Sequence, residues 1–279
     1  MAEQRTYPQG VTCWIDTEQP DLDAAARFYG GLFGWTLTDA MPSGAPRSSY
    51  LIATLDGQDV CALAPAGTDA GTAKWNTYVA VDDADATAAA VAAGGGTVVS
   101  APEDAGSAGR AATCLDPAGA EFRLWQPGKR LGAQLVNGPG SWNFSDLHTP
   151  DPDSAMAFYT PLFGWRAAAI EGAGTMLQLP GYGDHLAATI DPGIYERQAS
   201  VPDGFADVVS GLATIDAGEP ARWHVTFAVA DRDESAATAE RLGATILSSV
   251  DDMWTKHSLV RDPQGAEFTI SQFAPPEGV

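Results

Sequence analysis

A histidine and a carboxylate predicted to line one cleft from opposing modules are the residues of this chain best suited to chemistry. In WHVTFAV, which starts at Trp223, the apolar side chains Val225, Phe227 and Val229 alternate with His224, Thr226 and Ala228. Side chains alternate between the two faces of a strand, so the apolar row is predicted to meet a helix layer, with His224 and Thr226 on the opposite face. The same register places Phe144, Asp146 and His148 of WNFSDLHT on that face. A carboxylate accepting a hydrogen bond from an imidazole fixes its tautomer and raises its basicity. His224 oriented by Asp146 is therefore the catalytic candidate, a general base or acid for a carbonyl compound or phenol. In the competing reading His224 merely bonds a neighbouring strand or a buried carboxylate.

Other side chains predicted on the same faces would bind rather than react. In the first half these are Trp14, Asp16, Asn76, Tyr78, Arg123 and Trp125, with Glu121 beside them; in the second half Glu267 and Thr269 join Phe144, His148 and Thr226. Aromatic walls with a few fixed polar groups suit a planar or polycyclic ligand. The alternative is that Arg123 pairs with Asp16 or Glu121 and the aromatics simply fill the space. His185 and His257 stand where no strand register orients them.

The elements that must position these residues occur in duplicate. RFYGGLFGWT from Arg27 and AFYTPLFGWR from Ala157 nearly repeat each other, as do WNTYVAVDD from Trp75 and WHVTFAVAD from Trp223, and DPAGAEF from Asp116 and DPQGAEF from Asp262. Self-similarity at this scale marks repeated units. Each FYxxLFGW block follows a short strand and an Asp turn, with Asp21 as a helix cap and Gly34 or Gly164 as the stop. Trp35 and Trp165 are predicted to pack between helix and sheet. Each half divides again into two β-α-β-β-β units, so the fold class is α+β: four βαβββ modules in two tandem domains, residues 10–127 and 140–274, with curved mixed sheets around concave clefts. Each half is expected to cover its own sheet. Extra length in the second half, DPGIYERQASVPDGFADVVSGLATIDAGEP from Asp191, reads as a loop.

Composition narrows the function classes. The 15 basic and 36 acidic side chains give a formal charge of −21, which works against nucleic acid or an anionic membrane because both need clustered cations. No run reaches the ~18 apolar residues of a membrane span, and MAEQRTYPQG lacks the apolar core of a signal peptide, so a cytoplasmic location is expected. Cys13, Cys61 and Cys114 are widely spaced and without a CxxC pair, as suits buried thiols. A small-molecule partner and a monomer or homodimer are expected.

The paired FYxxLFGW blocks and DPxG strands resemble the vicinal oxygen chelate superfamily, which includes glyoxalases, bleomycin-resistance proteins and extradiol dioxygenases. The resemblance implies glyoxalase-like domains and, in metal-dependent members, a divalent ion held by His, Glu or Gln on the first and last strands of paired modules. Carried over, those positions are Trp14, about Ala62, Asn76 and Arg123 in the first half, and Phe144, about Ala187 or Ala188, His224 and Thr269 in the second. Of these, His224 alone is a good ligand, and a divalent ion needs three or more. No metal or other cofactor is therefore expected. Two functions stay open: a metal-independent enzyme acting on a small carbonyl-bearing or aromatic, polyketide-like metabolite in secondary metabolism, or a bleomycin-resistance-like protein that sequesters such a compound unchanged.

Overall fold

The computed structural model describes residues 5–41, 50–67, 73–170, 174–199, 201 and 203–275. The first half runs β1 (Thr12–Gln19), α1 (Leu22–Phe33), β2 (Thr36–Asp39), β3 (Leu51–Leu55), β4 (Gln58–Pro65), β5 (Lys74–Ala80), α2 (Ala84–Ala93), β6 (Thr97–Asp104), β7 (Gly109–Leu115) and β8 (Glu121–Pro127). The second half runs β9 (Trp142–Thr149), α3 (Pro152–Phe163), β10 (Arg166–Ile170), β11 (Gly174–Gln178), α4 (Tyr182–Ala188), α5 (Ile194–Arg197), β12 (Val208–Thr214), β13 (Arg222–Ala228), α6 (Arg232–Arg241), β14 (Thr245–Asp251), β15 (Thr255–Arg261) and β16 (Glu267–Phe273). Two eight-stranded mixed sheets result, ordered β2-β3-β4-β1-β5-β8-β7-β6 and β10-β11-β12-β9-β13-β16-β15-β14.

Each module starts its helix the same way. Asp21, Asp83, Asp151 and Asp231 cap α1, α2, α3 and α6, each accepting a hydrogen bond from the backbone N–H three residues on, where the exposed amides of a first turn need an acceptor. Gly34 and Gly164 end α1 and α3 with φ of 75° and 76°.

By contacts the chain divides into two compact units: residues 1–13, 77–132 and 145–223 in one, 14–76, 133–144 and 224–279 in the other. Each unit thus draws on both halves. In the second unit the α1 block packs on strands of the second half: Phe33 lies 4.8 Å from the Phe227 ring and Tyr29 5.8 Å from Phe268. In the first unit α3 packs on a strand of the first half, with Tyr159 5.5 Å from Phe122. Each helix does pack on strands of its own half, as expected, α1 on β4 and α3 on β12; what was not expected is that α1 and α3 also reach strands of the other half.

The duplicated motifs turn out to be complementary parts of one joint. The Tyr29 hydroxyl donates to Asp262 Oδ2 at 2.8 Å, and the Tyr159 hydroxyl donates to Asp116 Oδ2 at 3.1 Å. The FY tyrosine of each half therefore binds the DPxG aspartate of the other. Trp35 and Trp165 are buried as expected, and their indole N–H groups donate to the carbonyls of Gly140 and Gly10, both at 2.7 Å. Gly10 has φ of 88°, and a Cβ there would meet the Phe163 carbonyl at 2.7 Å, so no side chain fits.

The stretch from Asp191 is not a loop. It holds α5, a short 3-10 turn at Phe205–Asp207 and the whole of β12, with Ser200 and Pro202 outside the described residues. Burial of Val208, Val209 and Leu212 explains the strand. Among the described residues no helix is long and apolar enough to cross a membrane.

Candidate functional site

In the second unit Phe227 and Phe268 face the α1 aromatics, so the alternate residues of β13 and β16 face the other way. His224 and Thr269 meet there, the imidazole Nε2 2.8 Å from Thr269 Oγ1. Both strands run parallel, with Thr226 opposite Thr269, and Thr226 and His224 are buried. Phe144 is half-buried in the same unit.

The same unit holds a chain of polar groups around Asp16. This carboxylate is 0% exposed. Asn76 Nδ2 donates to its Oδ1 at 2.8 Å, and the Tyr50 hydroxyl donates to its Oδ2 at 3.0 Å. Trp14 Nε1 donates to the Tyr50 oxygen at 2.9 Å. Trp14, Asp16 and Asn76 are thus brought together, by a residue that sequence reasoning missed. The signal for Tyr50 was present: it shares parity with Ile52, which pairs with Ala62, and Ala62 pairs with Asp16. A phenol with part of its surface exposed, bonded to a buried carboxylate, can hand a proton inward or outward.

In the first unit Arg123 gathers the aromatic residues. Its Nη1 donates to the Tyr78 hydroxyl at 2.9 Å, its guanidinium carbon lies 5.5 Å from the centre of that ring, and its Nη2 lies 3.6 Å from Glu121 Oε1. Trp125 stands edge-on to Tyr78 at 6.4 Å and donates its indole N–H to the Arg130 carbonyl. The pairing of Arg123 with Glu121 matches one of the two sealing partners considered from sequence.

Asp146 also belongs to the first unit, whereas His224 belongs to the second. Leu147 lies in the apolar core, so Asp146 and His148 point to the opposite face of β9. Asp146 lies across Gly211 of β12, its register partner, so closely that a Cβ at Gly211 would collide with its Oδ1. Gly211 therefore shapes the site, and sequence gave no sign of it because β12 was read as loop. His148 stands near Arg222 and Glu219; burial first, then the Arg222 charge, lower its pKa to about 4, against an opposing effect of Glu219. Glu267 is bound at the strand end by Arg261 Nη2 at 2.6 Å. His185 lies on α4 and His257 on β15, where its Nδ1 is 3.3 Å from Asp252.

Comparisons with known proteins agree with this architecture. Residues 19–124 match the model of the Glyoxalase/Bleomycin resistance protein/Dioxygenase superfamily, and residues 144–271 match a glyoxalase-like domain. CFP32 of Mycobacterium bovis is 36% identical over 99% of both chains. The chain belongs to the glyoxalase/bleomycin resistance/dioxygenase superfamily. Two further relatives are the anthracycline biosynthesis proteins DauV of Streptomyces sp. strain C5, 32% identical, and DnrV of Streptomyces peucetius, 33% identical, each over 95% of this chain and 94% of its own length. Among solved structures of the superfamily fold are the 2,3-dioxygenase LapB from Pseudomonas sp. KL28, with a TM-score of 0.60 at 13% identity over 98% of this chain and 96% of that one, and the Mn(II)-bound glyoxalase from Novosphingobium aromaticivorans, with a TM-score of 0.59 at 17% identity over 95% and 82%.

In metal-dependent members the resemblance implies a divalent ion, and the residues at those ligand positions do not fit one. In the first half those positions hold Trp14, Ala62, Asn76 and Arg123. In the second the carry-over to Ala187 or Ala188 is corrected: both lie on α4, and the last strand of that module is β12, which puts Gly211 opposite Asp146. The second set is then Phe144, Gly211, His224 and Thr269, with a single imidazole. Among the described residues no three of His, Cys, Asp or Glu gather to hold an ion. A lone neutral donor cannot outcompete water for a divalent cation.

Proposed function

We propose that the protein is an enzyme of secondary metabolism that moves protons on a planar carbonyl-bearing or phenolic metabolite, without a metal ion. The observation that carries this reading is the Trp14–Tyr50–Asp16–Asn76 chain, a buried carboxylate fixed on both oxygens beside an indole wall. In the second unit His224, held by Thr269, is the general base; in the first unit Asp146 lies over Gly211. In the second unit Trp14 and Phe144 supply flat surface, and Asn76, Thr226, Glu267 and Thr269 polar contacts; in the first unit Tyr78 and Trp125 supply flat surface, and Arg123 and His148 polar contacts. The anthracycline biosynthesis relatives support a polycyclic, polyketide-like substrate. A donor set this poor in metal ligands supports chemistry carried by protein side chains alone.

The reaction leaves a general signature. A base that removes an α-proton from a ketone gives an enolate, which takes a deuteron back from heavy water. Mass spectrometry should therefore show deuterium entering a polycyclic hydroxyketone in the presence of the protein, unaffected by chelator. His224→Ala is expected to slow exchange by about 10²-fold or more while tryptophan fluorescence still reports binding. Equal exchange by wild type and His224→Ala would remove His224 from the chemistry. Tight binding with no exchange by either form would favour the second reading, capture without conversion, for which the Tyr78–Arg123 stack is a suitable wall.

A further inference from the structure

A groove of about 420 Å³ lies between α1, α6 and the turn at Asp262–Gln264. Two cations line it, Arg27 and Arg241. On a chain of formal charge −21 this is unusual company. Arg110, Arg123, Arg197, Arg222, Arg232 and Arg261 all reach carboxylates. Arg27, in contrast, makes no ion pair among the described residues, and Arg241 bonds Thr238 Oγ1 of its own helix at 2.8 Å. Asp262 borders the groove too, but its oxygens already accept from Tyr29, Gln19 and the N–H groups of Gln264 and Ala266.

The internal repeat supplies a control. In the first unit the positions equivalent to Arg27 and Arg241 are Ala157 on α3 and Ala93 on α2, so this helix pair forms without cations. The helix ends also differ. There Gly94 and Gly96 let the Phe158 ring approach, so that an added Cβ would meet it at 3.4 and 3.0 Å. In the second unit Leu242 stands where Gly94 would, and its Cδ1 lies 3.1 Å from where Gly31 would carry a Cβ. A partly exposed Leu242 packed beside Gly31, plus two guanidiniums the helix pair does not require, lines the groove with both apolar surface and donors.

We propose that the α1–α6 groove binds a small organic oxyanion, a phosphate or carboxylate on an apolar body, with Arg27 and Arg241 clamping the anion and Leu242 and Pro263 receiving the body. Guanidinium forks match such anions with charge-assisted hydrogen bonds. The test is calorimetric titration with phenyl phosphate, benzoate and inorganic phosphate. Phenyl phosphate or benzoate is expected to bind one to one, more weakly as sodium chloride is raised. Arg27→Ala and Arg241→Ala should each weaken binding about tenfold, and the double variant should show none, with circular dichroism unchanged because both side chains are exposed. Tighter phenyl phosphate assigns the anion as phosphate, tighter benzoate as carboxylate. No binding of any probe at millimolar concentration, inorganic phosphate binding as tightly as phenyl phosphate, or unchanged affinity in the double variant would each overturn the proposal. His224→Ala should leave this binding intact, which separates it from the proton-transfer reading.

Discussion

At His148 desolvation outweighs charge. Burial and the neighbouring Arg222 depress its pKa from 6.5 to about 4, so the folded protein holds a neutral imidazole where the unfolded chain takes up a proton. Stability is then complete above pH 6.5 and falls as pH drops from 6.5 towards 4, because the unfolded state gains protons that the folded state refuses. His148→Gln should flatten that slope, sparing on the order of 2 kcal/mol near pH 4 once the part-exposure of the ring is allowed for; denaturant melts of both forms across this range measure the difference. At this scale strand parity carried most of the information. It placed His224 with Thr269 because their strands alternate polar with apolar residues, and Asp16 with Asn76 by carrying the same register to the less decisive opening strand. It missed Tyr50, which stands just before its strand, and Gly211, whose contribution is a missing side chain.

The helices and turns that repeat were legible as elements, since an Asp cap, a helical apolar row and a glycine stop are local signals. Their partners were not. Nothing in FYxxLFGW says that its tyrosine seeks the DPxG turn of the other half, since that contact joins residues 29 and 262. The buried pairing should be costly to break. Tyr29→Phe leaves the Asp262 carboxylate short of one donor, at about 1.5–3 kcal/mol, and Tyr159→Phe should do the same at Asp116, where burial raises the carboxyl pKa above its usual range. Thermal melts should show each variant several degrees less stable than wild type, with the two effects adding in the double variant because the pairs lie in different units. The misread stretch after Asp191 has a similar cause: Gly, Pro and Asp punctuation hid the apolar run of β12.

For the whole molecule, the crossed packing of α1 and α3 means that neither half owns a complete core. Residues 1–132 alone are expected to give no folded monomer, because Phe28, Tyr29, Phe33 and Phe122 lose the surfaces that bury them; gel filtration with near-ultraviolet circular dichroism would check this, and mixing the two halves should restore the native spectrum. Sequence showed the duplication and so the number of modules, while the exchange between halves is a property of packing that no local pattern encodes. The Trp35–Gly140 and Trp165–Gly10 bonds show what the exchange makes available. Each contact has a twin, so two identical single-half chains could form all of them in trans as a symmetric pair. Tethering turns that association into an intramolecular event at high effective concentration. It also frees the copies to diverge: Arg27 and Arg241 on one helix pair stand at the positions that Ala157 and Ala93 hold on the other.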